Sequence, residues 1–275
     1  MGHAADASFA GSLPAFYQHY IVPLIFEPYA ADLARRLARR PLRRVLEIAA
    51  GTGVVTRRLA SVLPQSVAIV ATDLNPAMLE QAAATGTSRP VEWRQADASL
   101  LPFADQSFDA VVCQFGAMFF PDKARAFAEV RRVLRPGGLF LFNVWDRIED
   151  NDFADVITAE LATLYPDDPP RFLTRTPHGY ADRAAIERDL LAAGFGRPLE
   201  FVTLAEPSRA DSADIPALAY CHGTPLRNEI EARDPQGLAR ATARATEAIR
   251  RRFGAGAVEG KVQAHVIAVE KRFRS

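Results

Sequence analysis

Strand-like and helix-like segments alternate along the chain from about Arg43 onward, and this alternation limits the possible folds more than any other feature. Short β-branched and apolar runs occupy residues 44–49, 67–72 and 108–115, and each is followed by a segment with apolar residues at helical spacing. A helix between successive strands allows those strands to run parallel in one sheet. We therefore predict an α/β fold with a doubly wound sheet.

Further strands are predicted at residues 91–95, 139–144, 199–204 and 262–269, which brings the sheet to seven strands. Asn75 and Asp122 stand where helix N-caps are expected, and Pro76 suits a first helical position. The run Pro136-Gly137-Gly138 is expected to stop a helix before the fifth strand, because proline and glycine do not continue a helix.

Three segments lie outside this alternation. Residues 1–42 are predicted to form an N-terminal helical lid, in which residues 14–30 combine aromatic and apolar side chains at helical spacing. Residues 146–180 and 206–260 are predicted to be substrate-cap insertions around a cofactor-binding core at 43–145. The second insertion contains a predicted turn, His222-Gly223-Thr224-Pro225. We expect all 275 residues to form a single domain.

The composition narrows the class of partner. Lys plus Arg and Asp plus Glu both number 33, so a net charge of zero favours neither a nucleic acid nor an acidic membrane. No apolar run approaches the about 20 residues of a membrane helix, and no secretory leader is expected. Two distant cysteines predict neither a disulfide framework nor a metal site. We expect a cytoplasmic monomer or homodimer that acts on a small molecule.

A glycine turn directly follows the first strand, in VLEIAAGTG at residues 45–53. Gly51 and Gly53 carry no side chain and tolerate unusual dihedral angles, so the backbone can approach a ligand closely there. A tight strand-to-helix turn without a ligand would explain the same glycines.

Two acids favour the ligand interpretation. Asp73 ends the second strand, where a carboxylate can accept both hydroxyl hydrogens of an adenosine ribose. Asp97 follows the third strand and can accept a hydrogen bond from the adenine amino group, while Leu74 and Ala98 close on the ring faces. These residues share the carboxyl edge of the sheet, where ligands of open α/β folds bind. Taken alone, each acid also fits a surface position.

Four segments together resemble the class I S-adenosylmethionine-dependent methyltransferases, especially the branch of the ubiquinone and menaquinone biosynthesis C-methyltransferases. They are VLEIAAGTG (45–53), ATDLNPAML (71–79), ADASLLPFADQSFDAVVCQFGAMFF (96–120) and EVRRVLRPGGLFLF (129–142). The sequence departs from the family at Ala50, where many members have glycine.

The resemblance implies a Rossmann-like sheet of strand order 3-2-1-4-5-7-6 and S-adenosyl-L-methionine as the cofactor. It assigns Gln114 and Phe115 to the edge of the cofactor near the reaction centre, and Tyr17 to its methionine carboxylate. The residues expected to bind the cofactor are Tyr17, Ala49, Gly51, Thr52, Gly53, Asp73, Leu74, Met78, Asp97, Ala98, Gln114 and Phe115.

Acceptor-side residues are predicted from the segments outside the core and from the end of the fourth strand. Histidine suits proton removal at neutral pH, so His222 and His19 are candidates for a general base. A turn histidine bonded to backbone and a packing helix explain these residues equally well. The side chains expected to contact the acceptor are Tyr20, Phe119, His178 and Tyr220.

The predicted reaction is methyl transfer to a small, aromatic or quinone-like acceptor, at oxygen, nitrogen or carbon. One alternative is a nicotinamide-dependent oxidoreductase, because a glycine turn and an acid about 20 residues later also occur in dinucleotide sites. The turn lacks the third glycine of that pattern, and no Tyr-x-x-x-Lys pair occurs. A second alternative is a non-catalytic protein that binds S-adenosylmethionine.

Overall fold

A computed structural model describes residues 6, 11 and 13–272. The chain divides into two compact units. The sheet unit comprises Glu27–Val144, Tyr180–Thr203 and the chain from His265 onward. The helical unit comprises the described residues up to Phe26, together with Trp145–Gly179 and Leu204–Ala264. In the described part of the chain, no helix is both long and apolar enough to cross a membrane.

Seven strands form one sheet in the order β3-β2-β1-β4-β5-β7-β6, which confirms the predicted fold and strand order. The neighbouring pairs from β3 through β2, β1 and β4 to β5 are parallel. The strands are β1 Arg44–Glu47, β2 Ala68–Asp73, β3 Glu92–Gln95, β4 Phe108–Gln114, β5 Leu134–Trp145, β6 Glu200–Ala210 and β7 Val258–Glu270.

Helices separate the parallel strands and cover their side chains. Leu46 of β1 and Val111 of β4 are paired in register and fully buried, as expected for central strands of a parallel sheet. The helices of the sheet unit are Glu27–Leu37, Val54–Val62, Pro76–Thr85, Lys123–Val133 and Arg183–Ala192. Those of the helical unit are Leu13–Phe16, Tyr17–Phe26, Asp152–Leu164, Phe172–Arg175, Asp214–Gly223, Leu226–Arg233 and Leu238–Phe253.

The fifth strand begins earlier than predicted. The preceding helix ends at Val133 and β5 starts at Leu134, so Pro136-Gly137-Gly138 lies within the strand. Phe108 pairs with Leu134 but Ala110 pairs with Leu139, so two steps along β4 correspond to five along β5. A bulge therefore accommodates the proline and the glycines, which a regular ladder would exclude.

The two predicted helix caps differ in the structure. The Asp122 carboxylate accepts a hydrogen bond from the Arg125 backbone N–H at 2.9 Å, as an N-cap does. Asn75 occupies the N-cap position before Pro76, but its side chain makes no capping hydrogen bond. Its backbone N–H instead donates to Asp73 Oδ1 at 2.8 Å, which places the interaction at the end of β2.

The N-terminal segment is helical, but it does not form one element of residues 1–42. Tyr17–Phe26 is a π-helix, a rare conformation at this length, and the α-helix Glu27–Leu37 belongs to the sheet unit. The buried hydroxyl of Ser208 donates to the Leu24 carbonyl at 2.9 Å and satisfies one backbone acceptor of the π-helix. The start of the predicted lid, residues 1–5, 7–10 and 12, lies outside the described residues.

The predicted turn at His222 is helical in the structure. The helix Asp214–Gly223 extends through His222, and only Thr224 has an extended backbone. A side chain at position 223 would meet Ile21 Cγ1 at 3.1 Å and the backbone of Phe16 at 3.5 Å. Glycine therefore allows this helix to approach the N-terminal segment closely, and the packing extends the helix one turn beyond the sequence prediction.

Candidate cofactor site

The glycine turn after β1 has a left-handed backbone at three positions. The φ angles are +51° at Ala49, +56° at Gly51 and +81° at Gly53. A Cβ at Gly53 would lie 2.9 Å from the Trp93 ring, so both the dihedral angle and the packing require glycine there. The turn therefore brings bare backbone to the carboxyl edge of the sheet, as the sequence predicted.

Asp73 connects this turn to the end of β2. Its Oδ2 accepts from the Gly51 N–H and its Oδ1 accepts from the Asn75 N–H, both at 2.8 Å. Each carboxylate oxygen can still accept a second hydrogen bond. Burial raises the pKa of Asp73, and the two backbone donors oppose that shift. The side chain can thus hold the turn and accept from ribose hydroxyls at the same time.

Glu47 is a candidate site residue that sequence reasoning missed. It ends β1, directly before the glycine turn, and is almost completely buried. Burial raises its pKa to about 8, although the Thr56 hydroxyl donates to its carboxyl at 2.5 Å. The signal was present in VLEIAAGTG, where one acid interrupts an otherwise apolar strand. A buried carboxyl with a perturbed pKa beside a turn of bare backbone is typical of a ligand site.

The region after β3 is open to solvent. Asp97 is exposed, and its Oδ1 accepts from both the N–H and the hydroxyl of Ser99 at 2.7 Å. Leu74 and Leu100 are 51% and 69% exposed, which is unusual for large apolar side chains. Ala98 is half-buried beside Asp97. An acid that can bond an amino group and exposed leucines that can cover a ring suit an adenine.

A second tight turn follows β4. Phe115 has a φ of +50°, which is uncommon for a residue with a side chain. A Cβ at Gly116 would lie 2.8 Å from Cys113 Sγ and still closer to Ala49 Cβ, so the missing side chain lets this turn contact the glycine turn after β1. Gln114 and Phe115 therefore share the sheet edge with Ala49, Gly51 and Gly53.

Two predicted cofactor residues offer little side-chain surface. Met78 is 3% exposed in the helix Pro76–Thr85, and Thr52 is buried within the glycine turn. The Met78 side chain belongs to the core of the sheet unit, because the apolar face of its helix packs inward. Direct cofactor contact by either side chain stays a prediction.

The helical unit gathers the predicted acceptor-side residues into two aromatic groups. In the first, Phe16 stacks on Tyr20 at 5.7 Å and on His222 at 5.5 Å between ring centroids, and His19 meets Tyr20 edge-on at 4.5 Å. The second group is a row of rings at 5.3 to 6.2 Å, formed by Tyr17, Phe26, Trp145 and His178.

Two other acceptor-side candidates lie apart from these ring contacts. Tyr220 is buried in the helix Asp214–Gly223, and this burial raises the pKa of its phenol. Phe119 is half-buried in the short helical turn Ala117–Phe119 of the sheet unit.

Hydrogen bonds define the tautomers of two histidines. The Thr242 hydroxyl donates to the Leu238 carbonyl at 2.8 Å, so its oxygen accepts from His222 Nε2 at 2.9 Å. His222 Nδ1 is then the basic nitrogen, and burial lowers the pKa of the ring. His178 Nδ1 donates to the Asp146 carbonyl at 2.8 Å, and burial lowers the pKa of His178 to about 4.

Comparison with known proteins identifies the family. A family model described as a methyltransferase domain matches residues 46–142. The ubiquinone/menaquinone biosynthesis C-methyltransferase of Ectopseudomonas mendocina is 32% identical over 171 residues, which cover 58% of this chain and 67% of that protein. The chain belongs to the class I S-adenosylmethionine-dependent methyltransferases, in the branch of that enzyme.

A second relative of this methyltransferase is the demethylmenaquinone methyltransferase of Deinococcus radiodurans. The two are 43% identical over 110 residues, which cover 39% of this chain and 45% of the relative. The chain thus spans about two thirds of the first relative and less than half of the second. Similarity is concentrated in the part that contains β1 to β5 and the glycine turn.

A solved structure shows the same fold over nearly the whole methyltransferase. The YcgJ protein of Bacillus subtilis aligns with a TM-score of 0.57 and 20% identity, covering 90% of this chain and all of that one. S-adenosylmethionine is the cofactor of the family, and the residues present fit it: buried carboxyls at Glu47 and Asp73, a turn of bare backbone and exposed leucines beside Asp97. The family therefore decides against the nicotinamide-dependent alternative.

Proposed function

We propose that this methyltransferase transfers the methyl group of S-adenosylmethionine to a small, aromatic, quinone-like acceptor. The observation that carries the proposal is the aromatic group around Phe16, in which His19, Tyr20 and His222 offer ring faces and edges. A flat acceptor gains both buried area and favourable ring geometry among such side chains. The names of the two relatives, which refer to ubiquinone and menaquinone synthesis, support the same class of acceptor.

The reaction requires alignment more than covalent participation by the protein. The cofactor supplies a sulfonium methyl group that an acceptor displaces in line, and orientation can contribute up to about 7–11 kcal/mol in favourable intramolecular systems. Cys113 and Cys221 are poor nucleophiles because burial raises the pKa of each thiol to about 12. We assign the sheet unit to holding the cofactor and the helical unit to orienting the acceptor.

His222 is the proposed general base. Its Nε2 donates to Thr242 and its ring stacks on Phe16, so both the tautomer and the ring plane are held. The basic Nδ1 can take the proton of a phenol or an acidic carbon. Because burial lowers the pKa of His222, the ring is neutral at pH 7 and ready to accept a proton.

His178 is a weaker candidate for the same step. A pKa of about 4 makes the ring a poor proton acceptor, although it stays neutral over the physiological range. Its fixed orientation beside Trp145 suits a contact with the acceptor instead. We retain Tyr20, Phe119 and Tyr220 as proposed acceptor contacts, and Tyr17 as the proposed partner of the methionine carboxylate.

An acceptor panel tests the class of substrate. Purified protein is incubated with S-adenosylmethionine and either a 1,4-naphthohydroquinone, a catechol or ethanolamine, and S-adenosylhomocysteine is quantified together with the mass of the acceptor. We expect the hydroquinone or the catechol to gain one methyl group and ethanolamine to remain unchanged. Methylation of the amine alone would exclude the aromatic acceptor proposed here.

Variants at two histidines test the base. His222→Gln should lower the turnover number for the best acceptor by about 100-fold or more, the usual range for loss of a general base, with little change in cofactor affinity. His19→Gln is the matched control in the same aromatic group. In the wild type, turnover should rise with pH through the lowered pKa of His222 and be flat above neutrality. A larger loss in His19→Gln would transfer the role to His19.

A further inference from the structure

Asn143 is a buried amide in the middle of an apolar strand. It lies in LFLFNVW of β5, is 0% exposed, and is flanked by the fully buried residues Phe142 and Val144. A primary amide in such surroundings is unfavourable unless both its oxygen and its nitrogen find hydrogen-bond partners. Packing alone would favour an aliphatic side chain at this position.

Only the oxygen of this amide has a partner among the described residues. Asn143 Oδ1 accepts from the Phe115 backbone N–H at 2.9 Å, and the same N–H lies 3.2 Å from the Asn143 carbonyl oxygen. The first contact fixes the orientation of the amide, because only its oxygen can accept. In the described part of the chain, Nδ2 is buried without a partner. Asn143 thus carries an unsatisfied donor in order to place an acceptor beside Phe115.

Phe115 needs that acceptor because its backbone is strained. A φ of +50° disfavours any residue other than glycine, asparagine or aspartate, and such conformations persist only where several contacts enforce them. The Tyr29 ring meets Phe115 edge-on at 5.2 Å, and Gly116 is enclosed by Ala49 and Cys113. Asn143 adds a hydrogen bond to the backbone of Phe115 itself.

We propose that Asn143 is a positioning residue of the cofactor site, which holds Phe115 in its left-handed conformation and so sets the turn after β4. The consequence is a preformed edge at Gln114 and Phe115 that binds the cofactor without rearrangement. This inference rests on the predicted role of Phe115 at the cofactor, and it is independent of the acceptor proposed above.

The test compares three variants of the full chain by calorimetric titration with S-adenosylhomocysteine at pH 6, together with thermal unfolding. Asn143→Leu removes the acceptor and the unsatisfied donor, so we expect affinity to fall about 10-fold while the melting temperature does not fall. Asn143→Asp keeps an oxygen for the Phe115 N–H and should stay within about threefold of wild type. Phe142→Leu is the control on the same strand, and it should lower the melting temperature without changing affinity.

Each result has a defined meaning. Unchanged affinity in Asn143→Leu overturns the proposal, and so does a parallel fall in affinity and melting temperature in both Asn143 variants, which indicates a structural role. Asn143→Ala replaces the leucine variant if that variant does not fold. Phe115→Ala with unchanged affinity would instead remove Phe115 from the cofactor site, and failure of the wild type to bind would contradict the cofactor itself.

Discussion

The two units bury acidic side chains in different ways. In the helical unit, Asp6 bonds to Arg175 and Thr176, and Glu160 pairs with Arg244 and Arg251. In the sheet unit, Glu47 and Asp73 accept hydrogen bonds from a threonine hydroxyl and from backbone N–H groups, all of them uncharged. Burial raises the pKa of both sheet-unit acids.

This difference separates structural charges from ligand-directed ones. A buried carboxylate next to guanidinium groups is compensated within the protein, so it needs no ligand. A buried carboxyl with only neutral donors retains a desolvation cost that a cationic or hydroxyl-rich ligand can relieve. The sheet unit concentrates such groups at the carboxyl ends of β1 and β2, beside the glycine turn.

The largest effect is expected for the pH dependence of stability at Glu47. Its pKa rises from 4.5 to about 8 on folding, so the folded protein keeps a proton that the unfolded chain releases above pH 4.5. The stabilisation is therefore fully present below pH 4.5 and is lost as the pH rises to about 8, by at most about 5 kcal/mol at about 1.4 kcal/mol per pKa unit. Glu47→Gln should remove this loss.

Urea unfolding at pH 5 and pH 8 measures that effect as the difference between wild type and variant. Glu47→Gln should be the more stable of the two at pH 8, while Glu160→Gln serves as a buried acid of the other unit. An equal pH dependence in wild type and Glu47→Gln would show that Glu47 is ionised in the folded protein, and the contrast between the units would fail.

The next effect is on cofactor affinity at Asp73. Asp73→Ala removes the acceptor for the Gly51 and Asn75 N–H groups and for the predicted ribose hydroxyls. We expect affinity for S-adenosylhomocysteine to fall about 100-fold, or about 2.7 kcal/mol, by calorimetry. Asp32→Ala is the matched control, because Asp32 is also buried in the sheet unit but pairs with Arg36 at 2.7 Å. A similar loss in both variants would point to general destabilisation.

Glu160 should show the opposite behaviour. Glu160→Gln weakens ion pairs with two half-exposed arginines, so we expect the free energy of unfolding to decrease by about 1–2 kcal/mol. Cofactor affinity should not change, since the charge is compensated within the helical unit. A clear change in affinity, measured by the same titration, would break the distinction between the units.

The smallest effect is expected at Asp97. Because this side chain is exposed, a hydrogen bond to the adenine amino group competes with water, and Asp97→Ala should weaken S-adenosylhomocysteine binding only about fivefold. Asp105→Ala is the control, as Asp105 is exposed in the same unit and pairs with Arg132 at 2.8 Å. No difference between the two variants would remove Asp97 from the site.

Prediction from sequence succeeded where the signal is local. The strand order, the glycine turn and the Asp122 cap follow from short motifs and periodic patterns, and the structure confirms them. The start of β5 was wrong because a bulge opposite β4 absorbs Pro136-Gly137-Gly138, which depends on the neighbouring strand. The turn at His222 was wrong because contact with the N-terminal segment extends the helix.

The sequence by itself determined the α/β fold and the edge of the sheet at which the cofactor binds, because a strand, a turn and the next helix are neighbours in the chain. Only the tertiary structure decided which acids are compensated and which backbone positions are strained. Asp73 meets Gly51 across 22 residues, Phe115 meets Asn143 across 28, and Glu160 meets Arg244 across 84. Such contacts depend on the packing of distant segments, and no local pattern encodes them.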